Sequence, residues 1–186
     1  MLAKASERLK SLPLELRTKL SFEQGYVRTF KSERHFDAII SLFHVACYQT
    51  KNEDIIAYLK TARSHLLPGG CFIFDFWYGP AVLKQTPDCR IKRLSDEKIS
   101  VTRLAEPVAH TERNVIDVNY EILVEPAGSN VCERFKEQHV VRYFFLPEME
   151  HFLELTGFKM LHAEEWMSGR KPETDTWGVC VFAQAR

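Results

Sequence analysis

Two stretches decide the fold class: Phe36-Asp37-Ala38-Ile39-Ile40-Ser41-Leu42-Phe43, and Leu66-Leu67-Pro68-Gly69-Gly70-Cys71-Phe72-Ile73-Phe74-Asp75-Phe76. The first is an almost continuous apolar run, the pattern of a parallel strand buried on both faces. Between the two, Ile55, Ile56, Leu59, Ala62 and Leu66 recur at helical spacing. Asn52 stands where it can cap a helix over 53–67, and Pro68-Gly69-Gly70 stops it. Strand, helix, glycine turn and strand make a βαβ unit, whose right-handed crossover lays the strands parallel in one sheet. The fold class is therefore α/β.

Upstream, Leu20–Tyr26 reads as a short strand, and Met1–Lys10, with Leu2, Ala5 and Leu9 on one face, as a helix. No residue precedes Met1 to cap that helix, so the expectation is a chain whose start has been cut. Downstream, residues 90–145 change to alternation, as in Asn114–Val124, with a turn at Pro126–Asn130, and predict an antiparallel insertion. Pro147 opens a helix that runs through Leu155 and ends at Gly157. Strands around Met160–Ala163 and Gly178–Ala183 return to the sheet, giving one domain over 1–186.

Composition narrows the partners. Twenty-five Lys plus Arg balance 25 Asp plus Glu, so no broad basic surface exists to neutralise a nucleic-acid backbone. No apolar run is long enough to span a bilayer, and the amino terminus lacks a signal-peptide core, which predicts a cytoplasmic protein without a membrane partner. Five cysteines at 47, 71, 89, 132 and 180, with no C-x-x-C pair, read as reduced core thiols. His35, His110 and His151 are isolated, and no ligand spacing recurs, so no metal is expected.

The order Phe36–Ser41, helix, Leu66-Leu67-Pro68-Gly69-Gly70, Cys71–Asp75 resembles the fourth strand, fourth helix and fifth strand of class I S-adenosylmethionine-dependent methyltransferases. The L-x-P-G-G turn is its most specific part. The insertion and the closing Trp177-Gly178-Val179-Cys180-Val181 strand are similar to the small-molecule branch that includes nucleotide-sugar N-methyltransferases. The resemblance implies a Rossmann-like core, S-adenosylmethionine as cofactor and methyl transfer to nitrogen or oxygen of a small molecule. The family's glycine-rich loop and ribose-binding acid have no counterpart here. Met1-Leu2-Ala3-Lys4-Ala5 looks like the segment that follows that acid, so a strand-helix-strand unit of about 30 residues is expected to be missing. Gly25-Tyr26 stands where the family often has Gly-Asp, leaving Tyr26 to stack on adenine.

Ligands of open α/β sheets lie beyond the carboxyl ends of the strands. The candidates follow from that rule and the resemblance. Leu42, Phe43 and His44 form a cofactor wall, and His44 is the candidate general base, with a structural histidine as the alternative. Trp77 and Tyr78 face a substrate or the sulfonium, or else fill a core corner. Trp166, after Glu164-Glu165, is a further substrate contact, against the reading of those carboxylates as solvated surface. On the insertion His139 and Tyr143 share a face, with Arg142 opposite, and Tyr143 is a further candidate substrate contact. Without a central strand, Phe36–Phe43 would expose an apolar edge, which predicts pairing into a homodimer. Two other readings stand beside the enzyme: a catalytically inactive remnant serving as an interaction module, and a nicotinamide-dependent dehydrogenase, ranked last because no G-x-G-x-x-G follows a strand.

Overall fold

A computed structural model describes residues 2–129 and 131–186. Met1 and Asn130, which end the predicted first helix and the predicted turn, lie outside the described residues. Helices α1 (Leu2–Ser11) and α2 (Leu14–Arg17) lead to strand β1 (Phe36–Ser41). A 3₁₀ turn at Val45–Tyr48 precedes α3 (Asn52–Ser64), β2 (Leu66–Trp77) and α4 (Gly79–Gln85). Four long strands follow: β3 (Arg90–Ser95), β4 (Ile99–His110), β5 (Val115–Pro126) and β6 (Glu133–Arg142). The chain closes with α5 (Leu146–Leu155), β7 (Phe158–Glu165) and β8 (Gly178–Ala185).

β1 and β2 are parallel, as the βαβ pattern predicts, with Ile39 opposite Phe72 and Ser41 opposite Phe74. The register jumps between Phe36↔Leu66 and Ala38↔Cys71, so the proline-glycine-glycine segment bulges out of β2 rather than preceding it. Gly69 takes φ +79 in that bulge, a left-handed conformation that suits a residue without Cβ. The sheet order is β1-β2-β8-β7, with β8 antiparallel to both neighbours.

One face of this sheet carries the core. Phe72, Phe74, Phe76 and Phe158 are fully buried there, against Ile55, Tyr58 and Leu59 of α3 and Met149, Phe152 and Leu153 of α5. The Phe72 and Phe74 rings stack at 4.8 Å, and Tyr58 meets Phe74 edge-on at 6.3 Å. Each such side chain removed from water contributes about 1.5–3 kcal/mol, so this helix-covered face holds the fold. The other face, with Ile40 opposite Ile73, has no helix over Ile40, which is 60% exposed.

Four expectations fail here. β1 is parallel but not buried: Phe36 and Ile40 are exposed because β2 is its only strand neighbour among the described residues. Leu20–Tyr26 forms no strand but exposed coil, since no strand lies alongside to pair with it. Asn52 does not cap α3, whose start has no side-chain cap. Its Oδ1 accepts instead from Nη1 of Arg142 at 2.9 Å. Arg142 is buried, pairs with Glu148 and lies over the Phe144 ring at 4.8 Å, so Asn52 helps satisfy a cation removed from water. The thiols also divide: Cys47 and Cys180 are buried, whereas Cys89 and Cys132 are exposed.

Strands β3 to β6 form a separate antiparallel sheet in the order β3-β4-β5-β6. Ile116, Val118 and Val141 on one of its faces join the main core. Backbone bonds tie the chain where it leaves for this sheet to where it returns. Phe144 N–H donates to Trp77 O and Gly79 N–H donates to Phe144 O, both at 2.9 Å.

Candidate active site

The carboxyl ends of β1 and β2 meet at His44 and Asp75. Asp75 is fully buried, on the face of β2 opposite the phenylalanines, and both of its carboxylate oxygens accept from the His44 amide at 3.1 Å. Oδ2 also lies 2.7 Å from His44 Nδ1, off the line of an aligned hydrogen bond, so this contact is an electrostatic approach rather than a second donor bond. The backbone explains why the carboxylate is needed: Phe43 and His44 both adopt left-handed conformations, φ 65 and 63. Two non-glycine residues in that region cost about 1–3 kcal/mol each and persist only where the surroundings over-determine them. Asp75 is that constraint, and it holds the turn in the position where Phe43 projects outward, 80% exposed.

Around this turn Phe43, His44, Asp75, Trp77, Trp166 and Trp177 line a cavity of about 200 Å³. Phe43 and Trp166 lie 6.3 Å apart, His44 meets Trp77 edge-on at 6.2 Å, and Trp77 meets Trp177 at 6.0 Å and 90°. Trp166 is fixed by its amide, which donates to Gly178 O at 2.9 Å, and Trp177 by its Nε1, which donates to Gln85 Oε1 at 2.6 Å. Trp77 and Trp177 also form one wall of a second cavity, about 350 Å³, whose opposite side is the insertion: Arg90, Arg103, Val118 and Tyr120. A larger cavity, about 480 Å³, lies elsewhere, along the free edge of β1 between Phe30 and Tyr58. It holds none of the aromatic groups that follow the carboxyl ends of the strands.

Cys47 sits behind the site. Its Sγ accepts from the Trp77 amide at 3.2 Å. Burial, opposed by that bond and reinforced by Asp75, pushes its thiol up to about 12. It is a packing and hydrogen-bonding group, not a nucleophile.

The sequence-derived candidates separate. Phe43, His44, Trp77 and Trp166 converge on one cavity. Leu42 is half-buried beside it, and Tyr78 forms the backbone bridge to Phe144. Tyr143 lies fully buried in the core, against Phe145 at 6.0 Å and outside the three cavities described above. Tyr26 lines none of these cavities and is exposed beneath the Arg28 guanidinium at 4.6 Å. Asp75 and Trp177 stand in the strand stretches that carry the resemblance, but the sequence does not single them out as site residues. The available signal for Asp75 was a carboxylate closing an otherwise apolar strand, and for Trp177 its place at the start of the strand that pairs with β2. Among the described residues no three His, Cys, Asp or Glu side chains cluster as a metal site.

No protein-family model matches the chain. A curated relative is the dTDP-3-amino-3,4,6-trideoxy-alpha-D-glucopyranose N,N-dimethyltransferase of Streptomyces venezuelae, 25% identical over 158 residues. The match covers 81% of this chain and spans only 62% of that relative. Among solved structures, an S-adenosylmethionine-dependent methyltransferase from Clostridium acetobutylicum superposes with a TM-score of 0.80 at 20% identity, over 99% of this chain and 70% of that one. The sugar N-methyltransferase KedS8 from a Streptoalloteichus species gives 0.70 at 20% identity, over 91% and 64%. The architecture is the Rossmann-like fold of the S-adenosylmethionine-dependent methyltransferases, with an antiparallel sheet inserted after β2.

Proposed function

We propose that this chain belongs to an S-adenosylmethionine-dependent methyltransferase that acts on nitrogen or oxygen of a small molecule. The observation that carries the reading is the strained Phe43–His44 turn, clamped by Asp75 and facing Trp77, Trp166 and Trp177 at the ends of parallel strands. The cofactor supplies an electrophilic methyl group on a cationic sulfonium. The aromatic faces of Phe43, Trp77, Trp166 and Trp177 suit a cation. A cavity of about 200 Å³ falls below the roughly 300–1,000 Å³ of complete ligand pockets, so these residues supply one wall of the cofactor site.

The insertion-side cavity, which shares Trp77 and Trp177 with that wall, is the proposed acceptor pocket. The curated relative's name, a methyltransferase of a dTDP-linked amino sugar, supports an amino group as the acceptor here. Positioning and exclusion of water carry the rate in such a site. The balanced charge supports a small-molecule partner over nucleic acid, and no described helix is long and apolar enough to cross a membrane, which supports assignment to the cytoplasm. The outer edge of β1, which no described strand pairs, with Phe36 and Ile40 exposed, supports self-association through that edge.

Isothermal calorimetry with S-adenosylmethionine tests the reading. Saturable one-to-one heat is expected, weakened by Trp166→Ala. A folded sample that gives no heat at high concentration rejects it.

A further inference from the structure

The Tyr48 hydroxyl lies 2.7 Å from Nδ1 of His139, a contact between the 3₁₀ turn after β1 and strand β6 of the insertion. Tyr120 meets the same imidazole edge-on at 5.2 Å, and on the ring's far side Nε2 lies 3.4 Å from the Glu137 carboxylate. A hydroxyl, an imidazole and a carboxylate thus follow one another in order. Core packing does not account for the set, because Tyr48 is 48% exposed and the Glu137 side chain 58%. Its position is informative. Tyr48 directly follows Cys47, the residue bonded to the Trp77 amide, and Tyr120 lines the cavity that Trp77 and Trp177 wall off. The set therefore stands at the border between the strand-end site and the insertion.

We propose that Tyr48, His139 and Glu137 form the proton relay that activates the methyl acceptor, an assignment that rests on the function proposed above. Tyr48 is the catalytic member: its Oη takes the proton leaving the acceptor's nitrogen or hydroxyl and hands its own to Nδ1 of His139. His139 and Glu137 are positioning residues, the second stabilising the imidazolium that results. The bond formed joins the acceptor atom to the methyl carbon. The bond broken is carbon to sulfur, with its electron pair left on sulfur, and the acceptor's proton ends on His139. The relay needs a neutral imidazole protonated at Nε2, toward Glu137. The other titratable or charged groups near it are Tyr120 on β5, Arg103 on β4, which lies over the Tyr120 ring at 5.3 Å, Cys47 beside Tyr48, and Glu106, Glu121 and Lys136, which line a cavity with Glu137 and Tyr120.

Nitrogen NMR of the histidine rings reads this on the chain alone. The Nε2–H form of His139 is expected in the unaltered protein, converting to a tautomer mixture in Tyr48→Phe; a mixture in both overturns the relay. Methyl transfer supplies the second readout, with S-adenosylmethionine and dTDP-3-amino-3,4,6-trideoxy-alpha-D-glucopyranose as the probe acceptor. Tyr48→Phe is expected to slow transfer about 100-fold with cofactor affinity unchanged. His139→Gln is expected to remove the acid limb of the pH profile. Unchanged rate and profile in both variants overturn the relay while leaving the proposed function standing. Failure of the unaltered chain to bind cofactor removes the function and the relay together. Where cofactor binds but the probe is not turned over, the imidazole decides: a Tyr48-dependent tautomer sustains the relay, and its absence overturns it.

Discussion

Asp75 holds His44 by its backbone as well as beside its ring: both carboxylate oxygens accept the His44 amide at 3.1 Å, and Oδ2 lies 2.7 Å from Nδ1. A fully buried carboxylate is thereby spent on a left-handed turn, and Nε2 is the ring nitrogen left for other partners.

Asp75→Asn keeps one acceptor oxygen but loses the charge that strengthens the His44 bond. A loss of about 2 kcal/mol is expected in urea denaturation, together with weaker calorimetric binding of S-adenosylmethionine. An unchanged midpoint and unchanged heat would show that the turn holds itself.

Asn52 and Arg142 act as a pair, not as a cap and a surface cation. Arg142→Ala is expected to cost about 3–5 kcal/mol, because Glu148 and Asn52 lose their buried partner. Asn52→Ala should cost about 1 kcal/mol in the native background and much less beside Arg142→Ala. Equal losses in both backgrounds would restore Asn52 to the capping role.

The thiols should sort by burial. Alkylation at pH 8 is expected at Cys89 and Cys132, with Cys47 and Cys180 protected while the chain is folded. The Cys47 thiol ordinarily titrates near 9.0 and is pushed by burial to about 12, so above pH 9 the unfolded chain releases a proton that the native chain keeps. Stability therefore falls as pH rises, by about 1.4 kcal/mol per pH unit from this group. Cys180, raised by burial to about 11, adds to the fall. Denaturation at pH 9 and 10 should show a flatter dependence in Cys47→Ala, and an identical slope would contradict the assignment.

Gly79→Ala tests the seam between the two sheets. A Cβ there would come within 2.5 Å of the Phe145 ring, in a fully packed position. The ring must move, and a loss of about 1–3 kcal/mol is expected in thermal or urea unfolding. A fully stable variant would mean that Phe145 swings aside freely.

How far residues reveal their structure depends on whether the cause is local. The β1–β2 crossover was legible because apolar runs and a glycine turn carry it within residues 36–76. The burial of β1 was not, since an apolar run records what a strand prefers and not whether a neighbour lies beside it; Ile40 has that preference and no cover. Leu20–Tyr26 failed for the same reason. At the site, Phe43, His44 and Trp77 were readable as the residues that follow strands. Asp75 looked like one more hydrogen-bonding group in a crowded stretch, because its role depends on a backbone conformation 31 residues earlier. Tyr48 and His139 are 91 residues apart, and no local pattern announces their contact.

The hydrogen bonds of Phe144 with Trp77 and Gly79 mean that the chain leaves for the inserted sheet and returns from it side by side. The clamp itself, from the His44 amide to the Asp75 carboxylate, uses no atom of that sheet. Replacing Arg90 or Arg103, which line the second cavity from the insert, would reshape what that cavity admits and leave in place the bonds by which Asp75 sets the turn.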